Sequence, residues 1–253
     1  FQKAFDTVPH LRLLQKIQAC GIGGNLLEWI KSFLIGRKQR VKIKGRTSAW
    51  IDVTSGVPQG SVLGPILFVM YINDIVDNLK CNAYLYADDM KIYTKVVDES
   101  DRQMLQDDID NIVEWTKLWL LKLNISKCKV LTIGTNDNQM HRYQVTSDGI
   151  HSVLSNVKSE KDLGITVDSN LSFDLHIQEV VKKANKILGV IKRTFKFLDY
   201  KTFTMLYKSM VRSHLEYAQT VWSPHKQFNI ELLEKVQRRA TKIIPGFYRL
   251  PYD

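Results

Sequence analysis

Residues 81 to 96 read Cys81-Asn82-Ala83-Tyr84-Leu85-Tyr86-Ala87-Asp88-Asp89-Met90-Lys91-Ile92-Tyr93-Thr94-Lys95-Val96. Two strand-like runs, Cys81 to Leu85 and Lys91 to Val96, flank Tyr86-Ala87-Asp88-Asp89, and so short a connection predicts a β-hairpin with two carboxylates at its tip. Adjacent anions repel, and water or a bound cation relieves the repulsion. Mg²⁺, which takes carboxylate oxygens, water and substrate phosphates, is the natural cation. Asp is also a common turn residue for conformational reasons, and taken alone the pair reads more readily as a solvated turn.

Upstream, Thr54-Ser55-Gly56-Val57-Pro58-Gln59-Gly60-Ser61-Val62-Leu63-Gly64-Pro65 forms a Gly- and Pro-punctuated loop that runs into an apolar helix, Ile66 to Ile75. Gly56 and Gly60 allow close backbone approach, Pro58 stiffens the path, and Gln59 offers an amide donor and acceptor. By spacing alone this is equally an ordinary loop with Pro65 in the first turn of its helix. Arg40-Val41-Lys42-Ile43-Lys44 and Lys129 to Ile133 alternate as strands do. Asn25 with Glu28 resembles a capping box for a helix that Gly36 ends, and a second helix starts at Ser100, its apolar stripe running through Leu105, Ile109, Ile112, Val113 and Trp119. The acidic run from Asp98 to Glu114 reads as a helix start and a solvated face. Beyond residue 173 everything looks helical, with Ile177, Val180, Val181, Ala184, Ile187, Leu188 and Ile191 on one face and Lys182, Lys183, Lys186 and Arg193 on others.

At 253 residues, with 44% hydrophobic and 25% charged side chains, the chain is long enough for a sizeable core and is neither a disordered tail nor a fibrous repeat. It carries 36 Lys and Arg against 26 Asp and Glu, a formal +10, and residues 174 to 253 supply +8 of it. No apolar run reaches the roughly 18 residues of a membrane span and no signal-peptide layout opens the chain, so it reads as soluble and intracellular. Cys20, Cys81 and Cys128 are odd in number and in no metal-binding spacing, which predicts small buried hydrophobes. The histidines, among them His10, His141 and His214, form no cluster and read as structural, and Trp115, Trp119 and Trp222 as core. Arg37, Lys38, Arg40, Lys42, Lys44 and Arg46 crowd one short segment without a carboxylate. Alternation on a hairpin sends Arg40, Lys42 and Lys44 to one face, which suits either phosphate contact or a protected edge strand. The chain begins without Met, in the middle of an apparent strand, as a piece of a longer reading frame would.

Taken together, these stretches resemble the reverse transcriptases of non-long-terminal-repeat retrotransposons, particularly the jockey and CR1-like group. The resemblance rests on Lys3-Ala4-Phe5-Asp6-Thr7-Val8, on Ser55 to Pro65, on Tyr86-Ala87-Asp88-Asp89, on Leu123-Asn124-Ile125-Ser126-Lys127 and on Leu163-Gly164-Ile165, in the family's order across most of the chain. It implies an α+β polymerase palm over residues 1 to 173, an antiparallel sheet with packed helices, followed by an all-helical basic thumb over 174 to 253. The fingers precede the first motif and so fall outside these residues.

The implied activity is RNA-directed DNA synthesis, with dNTPs, an RNA template, a DNA primer and their duplex as partners, in the nucleus and cytoplasm and not at a membrane. Asp88, with Asp89 beside it, resembles the carboxylate of a two-Mg²⁺ site. Lys127 resembles the lysine that protonates pyrophosphate, and Phe5 the aromatic gate that rejects a ribose 2′-hydroxyl. Pro58, Gln59 and Gly60 resemble the loop that holds the templating base and the nucleotide, and Tyr86 counts with these substrate positions. Leu163 and Gly164 resemble the primer grip, and Lys182, Lys183 and Lys186 lie on the duplex-binding thumb. The family's other metal-binding Asp would fall one residue before Phe1. Asp6 has the same strand parity but lies six residues along, roughly 20 Å of extended chain, against Mg²⁺ ligand distances of about 2.1 Å. The implied outcome is a fragment inactive by itself. A non-catalytic nucleic-acid-binding remnant is the alternative, and a replicative RNA polymerase is disfavoured by Phe5.

Overall fold

The computed structural model describes residues 1–134, 141–147, 149–195, 197–244, 246–247 and 251. They divide into two compact units, Phe1–Cys128 with His141–Ser155, and Lys129–Met140 with Asn156–Asp253.

The first unit opens with three helices, α1 (Ala4–Thr7), α2 (His10–Ala19) and α3 (Gly24–Leu34). The expected opening strand is therefore a helical turn: Asp6 N bonds Lys3 O, and the Thr7 hydroxyl donates back to Lys3 O four residues earlier, at 3.2 Å. The Asn25 capping box is also absent, since α3 begins at Gly24 behind Gly23 with no side-chain cap. A projecting arm follows, made of β1 (Lys38–Gln39), β2 (Lys42–Ile43), β3 (Arg46–Thr47) and β4 (Ile51–Asp52), in which β1 pairs with β4 and β2 with β3. Helix α4 (Leu63–Ile72) continues into a 3₁₀ turn, Asn73–Val76, which leads to the hairpin of β5 (Asn82–Tyr86) and β6 (Asp89–Tyr93) and then to the long helix α5 (Glu99–Trp119). Asp98, not Ser100, caps α5, in a reciprocal box with Asp101. After a 3₁₀ turn at Ile125–Lys127 and β7 (Lys129–Leu131), which belongs to the second unit, β8 (Gln144–Ser147) and β9 (Ile150–Val153) form a hairpin whose first strand contacts α5.

The core of this unit gathers Val8, Leu13, Ile17, Leu34, Leu67, Phe68, Tyr71 and Leu121, each fully or almost fully buried. Each such side chain contributes about 1.5–3 kcal/mol by leaving water. A charged residue packs with them: Lys16, on the buried side of α2, pairs with Asp74, donates to Tyr71 O at 2.6 Å and sits 3.8 Å above the Trp119 ring. Burial depresses its pKa below the ordinary lysine value, with Asp74 opposing. Trp115 and Trp119 thus pack in the interior, as expected, and Trp115 Nε1 donates to the same Asp74. Cys81 is buried and Cys128 partly so, but Cys20 is exposed at the end of α2 and corrects the expectation for that cysteine.

In the second unit, β10 (Ser155–Val157) pairs with β7, and β11 (Ser159–Asp162) pairs with β12 (Ile165–Asp168). Helices α6 (Asp174–Thr194), α7 (Tyr200–Leu206), α8 (Ser213–Glu216), α9 (Gln219–Trp222) and α10 (Gln227–Thr241) follow, a π-helical stretch Tyr207–Arg212 joining α7 to α8. The stripe read along α6 is its buried face: Ala184, Leu188 and Ile191 pack with Phe203, Val211, Val236 and Ala240, and Ile177 with Trp222. Mixed helices with small antiparallel sheets are thus the fold class, and among the described residues every ladder joins only two strands.

Candidate active site

Strands β5 and β6 pair from Asn82↔Tyr93 to Tyr86↔Asp89, leaving Ala87 and Asp88 as a two-residue turn. Ala87 takes φ +53, the left-handed value that primed hairpin turns need at their first central position. A non-glycine residue there costs about 1–2 kcal/mol, which the register on either side must outweigh. Alternation turns Leu85, Met90 and Ile92 onto the core and leaves Tyr84, Tyr86, Asp89, Lys91 and Tyr93 exposed on the other face, with the Tyr84 and Tyr93 rings stacked at 5.7 Å. Asp88 is half-buried at the tip. Neither the Asp88 nor the Asp89 carboxylate has a hydrogen-bond or ion-pair partner among the described residues.

Two adjacent carboxylates that no donor among the described residues satisfies are hard oxygen ligands, and they fit a cation that keeps waters and takes phosphate oxygens. They supply only part of a coordination shell. Among the described residues no group of three or more His, Cys, Asp or Glu side chains is placed to hold a metal ion. Asp6 belongs to no such group, and its Oδ1 accepts from Gln59 Nε2 at 2.8 Å.

The hairpin is held at its base by a residue that the acidic-run reading placed on a solvated face. Asp108, fully buried, accepts backbone N–H bonds from Lys80 at 2.9 Å and from Cys81 at 2.7 Å, immediately before β5. Burial, helped by Asp108, pushes the Cys81 thiol up to about 12. The signal was available in the sequence: Asp108 lies three residues after Leu105 and four before Ile112, on the apolar stripe of α5.

The loop before α4 lies against the first motif. Gly56 N donates to Val8 O and Val57 N to Phe5 O, both at 2.8 Å, while Gly56 O accepts from His10 Nε2 at 2.9 Å and from Arg37 at 3.1 Å. Gly56 has φ +87, and a Cβ there would lie 2.7 Å from Asp6 O. Gly56→Ala should therefore destabilise the unit by about 3 kcal/mol, from left-handed strain plus overpacking. Urea denaturation checks this; an unchanged midpoint would contradict the packing described.

Phe5 stacks on Phe68 with centroids 4.2 Å apart, so its ring is fixed but half-buried. Pro58 O is held by the Ser61 hydroxyl at 2.7 Å, and Gly60, at φ +83, faces open space. The structure thus brings Phe5, Asp6, Pro58, Gln59 and Gly60 into one neighbourhood. Lys127 ends a 3₁₀ turn with its side chain exposed, and no hydrogen bond or ion pair among the described residues joins it to the hairpin tip.

The basic segment departs from the expected alternation. Lys42 lies in β2, but Lys44 (φ +46) and Gly45 (φ +82) are the turn, and Arg40 lies between two short ladders, so the three do not share one strand face. In the second unit Leu163 (φ +45) and Gly164 (φ +90) form the tight turn between β11 and β12, and the Tyr217 hydroxyl donates to Leu163 O at 2.9 Å. Lys182, Lys183 and Lys186 are exposed on α6, away from its buried stripe. His10 and His176 are buried and structural, His176 Nδ1 accepting from Thr166 N while burial lowers its pKa.

Residues 1–202 match the family described as reverse transcriptase (RNA-dependent DNA polymerase). The chain is 32% identical to the RNA-directed DNA polymerase from mobile element jockey of Drosophila funebris, over 97% of this chain and 28% of that protein. It is 26% identical to the probable RNA-directed DNA polymerase from transposon BS of Drosophila melanogaster, over 96% of this chain and 28% of that one. A third relative, a polyprotein from the type-1 retrotransposable element R2 of Popillia japonica, is 26% identical over 66% of this chain and 30% of its own length. The chain spans between a quarter and a third of these curated relatives. On the family match and the jockey identity, this chain belongs to the reverse transcriptase (RNA-dependent DNA polymerase) family.

Proposed function

We propose that the chain is the palm and thumb portion of a retrotransposon RNA-directed DNA polymerase, residues 1–173 forming the palm and 174–253 the thumb. The observation that carries this reading is the hairpin tip, where the Asp88 and Asp89 carboxylates have no partner among the described residues, on a register anchored by Asp108. Asp88 is the principal metal ligand and Asp89 its neighbour. Asp88 and Asp89 would hold a Mg²⁺ ion, whose charge would lower the pKa of a primer 3′-hydroxyl and steady the phosphoryl transition state. Phe5, braced by Phe68, closes the space beneath the incoming sugar, so a 2′-hydroxyl clashes and dNTPs are selected. Pro58, Gln59 and Gly60 hold the nascent pair, with the Gln59 amide set by Asp6 and Tyr86 beside the tip. Lys127 donates the proton that leaves with pyrophosphate.

Template and primer are held through charge. Leu163 and Gly164 turn the primer end, Lys182, Lys183 and Lys186 meet phosphates along the thumb, and Arg40, Lys42 and Lys44 meet them on the arm. The chain should bind an RNA–DNA duplex with little sequence preference. With about five phosphates neutralised, a four-fold rise in salt should cost on the order of 500-fold in affinity. Filter binding across a salt series tests this; no affinity at low salt, or affinity insensitive to salt, would contradict it.

A further inference from the structure

The arm between α3 and the Gly56 loop is built to project. Every residue from Lys38 to Asp52 is exposed, yet the backbone is ordered by the β1–β4 and β2–β3 ladders, by Ser48 N donating to Val41 O, and by Val53 N donating to Arg37 O. Exposed residues of this kind are usually polar. Here Val41, Ile43, Trp50 and Ile51 are 57–65% exposed among five basic side chains, and the arm's one carboxylate, Asp52, is paired with Lys38.

The Arg40 guanidinium lies 4.4 Å from the Trp50 ring centre. That contact fixes an indole which would otherwise sample several rotamers, covers one of its faces and leaves the other to solvent. The guanidinium's N–H donors lie in its own plane and have no acceptor among the described residues, so they are available to a phosphate. A flat aromatic face beside phosphate donors has little to offer a duplex, whose base faces are already stacked. It suits an unpaired base.

We infer that this arm binds single-stranded nucleic acid, one unpaired base stacking on the open face of Trp50 while Arg40 and Lys42 take the flanking phosphates. The inference rests on the nucleic-acid-binding reading above and adds to it the strand state and the residue that senses it. An acidic protein or a second copy of the chain would use the charge of the arm without needing an aromatic face that accepts a base.

The test is anisotropy titration of the 253-residue chain with a labelled oligouridine of about 12 nucleotides, and with an RNA–DNA duplex of the same length. Trp50→Ala should weaken oligouridine binding about ten-fold, while Trp50→Phe keeps most of it and duplex affinity stays within about two-fold for both variants. Equal oligouridine affinity for Trp50→Ala and wild type would overturn the inference, as would an equal loss for both nucleic acids. A wild-type chain that binds duplex but not oligouridine would overturn it and leave the broader reading standing; binding of neither would remove both. Photo-crosslinking of wild-type protein to an oligonucleotide carrying 5-iodouracil needs no variant: a crosslink at Trp50 is expected, and crosslinks confined to other segments would contradict the assignment.

Discussion

Asp88→Asn, made in the chain extended by a segment that carries an aspartate directly before Phe1, should lower the nucleotide incorporation rate by on the order of 10³-fold, as expected for several kcal/mol of metal-borne charge stabilisation. The substitution keeps the size of the side chain and its turn preference but removes the charge. Stability should hardly move. The Asp88 carboxylate has no hydrogen-bond or ion-pair partner among the described residues, so Asn breaks no contact and relieves its repulsion with Asp89; the change should stay within about 0.5 kcal/mol. Asp89→Asn should cost less, roughly ten-fold, because Asp89 lies in the β6 register opposite Tyr86, on the exposed face beside the tip. Incorporation rate and thermal midpoint, measured together for both variants, separate the metal role from a turn role: an active Asp88→Asn enzyme would remove the site assignment.

Asp108 marks what the hairpin needs beneath it. The alternation of Leu85, Met90 and Ile92 against Tyr84, Tyr86 and Lys91 was legible, because period-two patterning follows directly from one buried and one exposed face. So were the stripe of α6 and the Gly-rich approach to α4, whose Gly56 is demanded by a backbone lying 2.7 Å from where a Cβ would be. Harder to read was anything in which one side chain serves a distant backbone. Asp108 looks like one more charge in an acidic run until Lys80 and Cys81 are seen to donate to it, and Lys16 looks like a solvated helix charge until the Tyr71, Trp115 and Trp119 rings are seen around it.

Short elements failed for a related reason. The Arg40 to Lys44 alternation implied one continuous strand, but Lys44 and Gly45 both take positive φ and end the pattern after Ile43. The first motif looked like a strand, yet within these residues Phe5 O and Val8 O bond the Gly56 loop and leave 4–7 as a helical turn. The β8–β9 and β11–β12 hairpins, with four-residue strands rich in Ser, Thr and charged side chains, carried too little apolar alternation to be read.

The second large effect concerns the bare chain. On the proposed two-metal reading the hairpin offers Asp88 and Asp89, while Asp6, the carboxylate of the first motif, accepts from Gln59. A two-metal site needs ligands from both sides of the reacting phosphate, so one pair on one turn should bind the ions too weakly to organise transfer. Duplex binding should survive, because it draws on Lys and Arg side chains far along the chain from the tip. The 253 residues should therefore bind duplex without extending a primer, and adding a segment that carries an aspartate directly before Phe1 should restore extension.

The most direct measurement is extension of a DNA primer on an RNA template with Mg²⁺ and dNTPs, run on the 253-residue chain and on the same chain with an added segment that carries an aspartate directly before Phe1. Extension by the longer protein only is expected, with both forms binding the primer-template duplex. Extension by the bare chain would contradict the division of the metal site, and a longer protein that carries the restored aspartate, binds duplex and never incorporates a nucleotide would point instead to a non-catalytic remnant of the family.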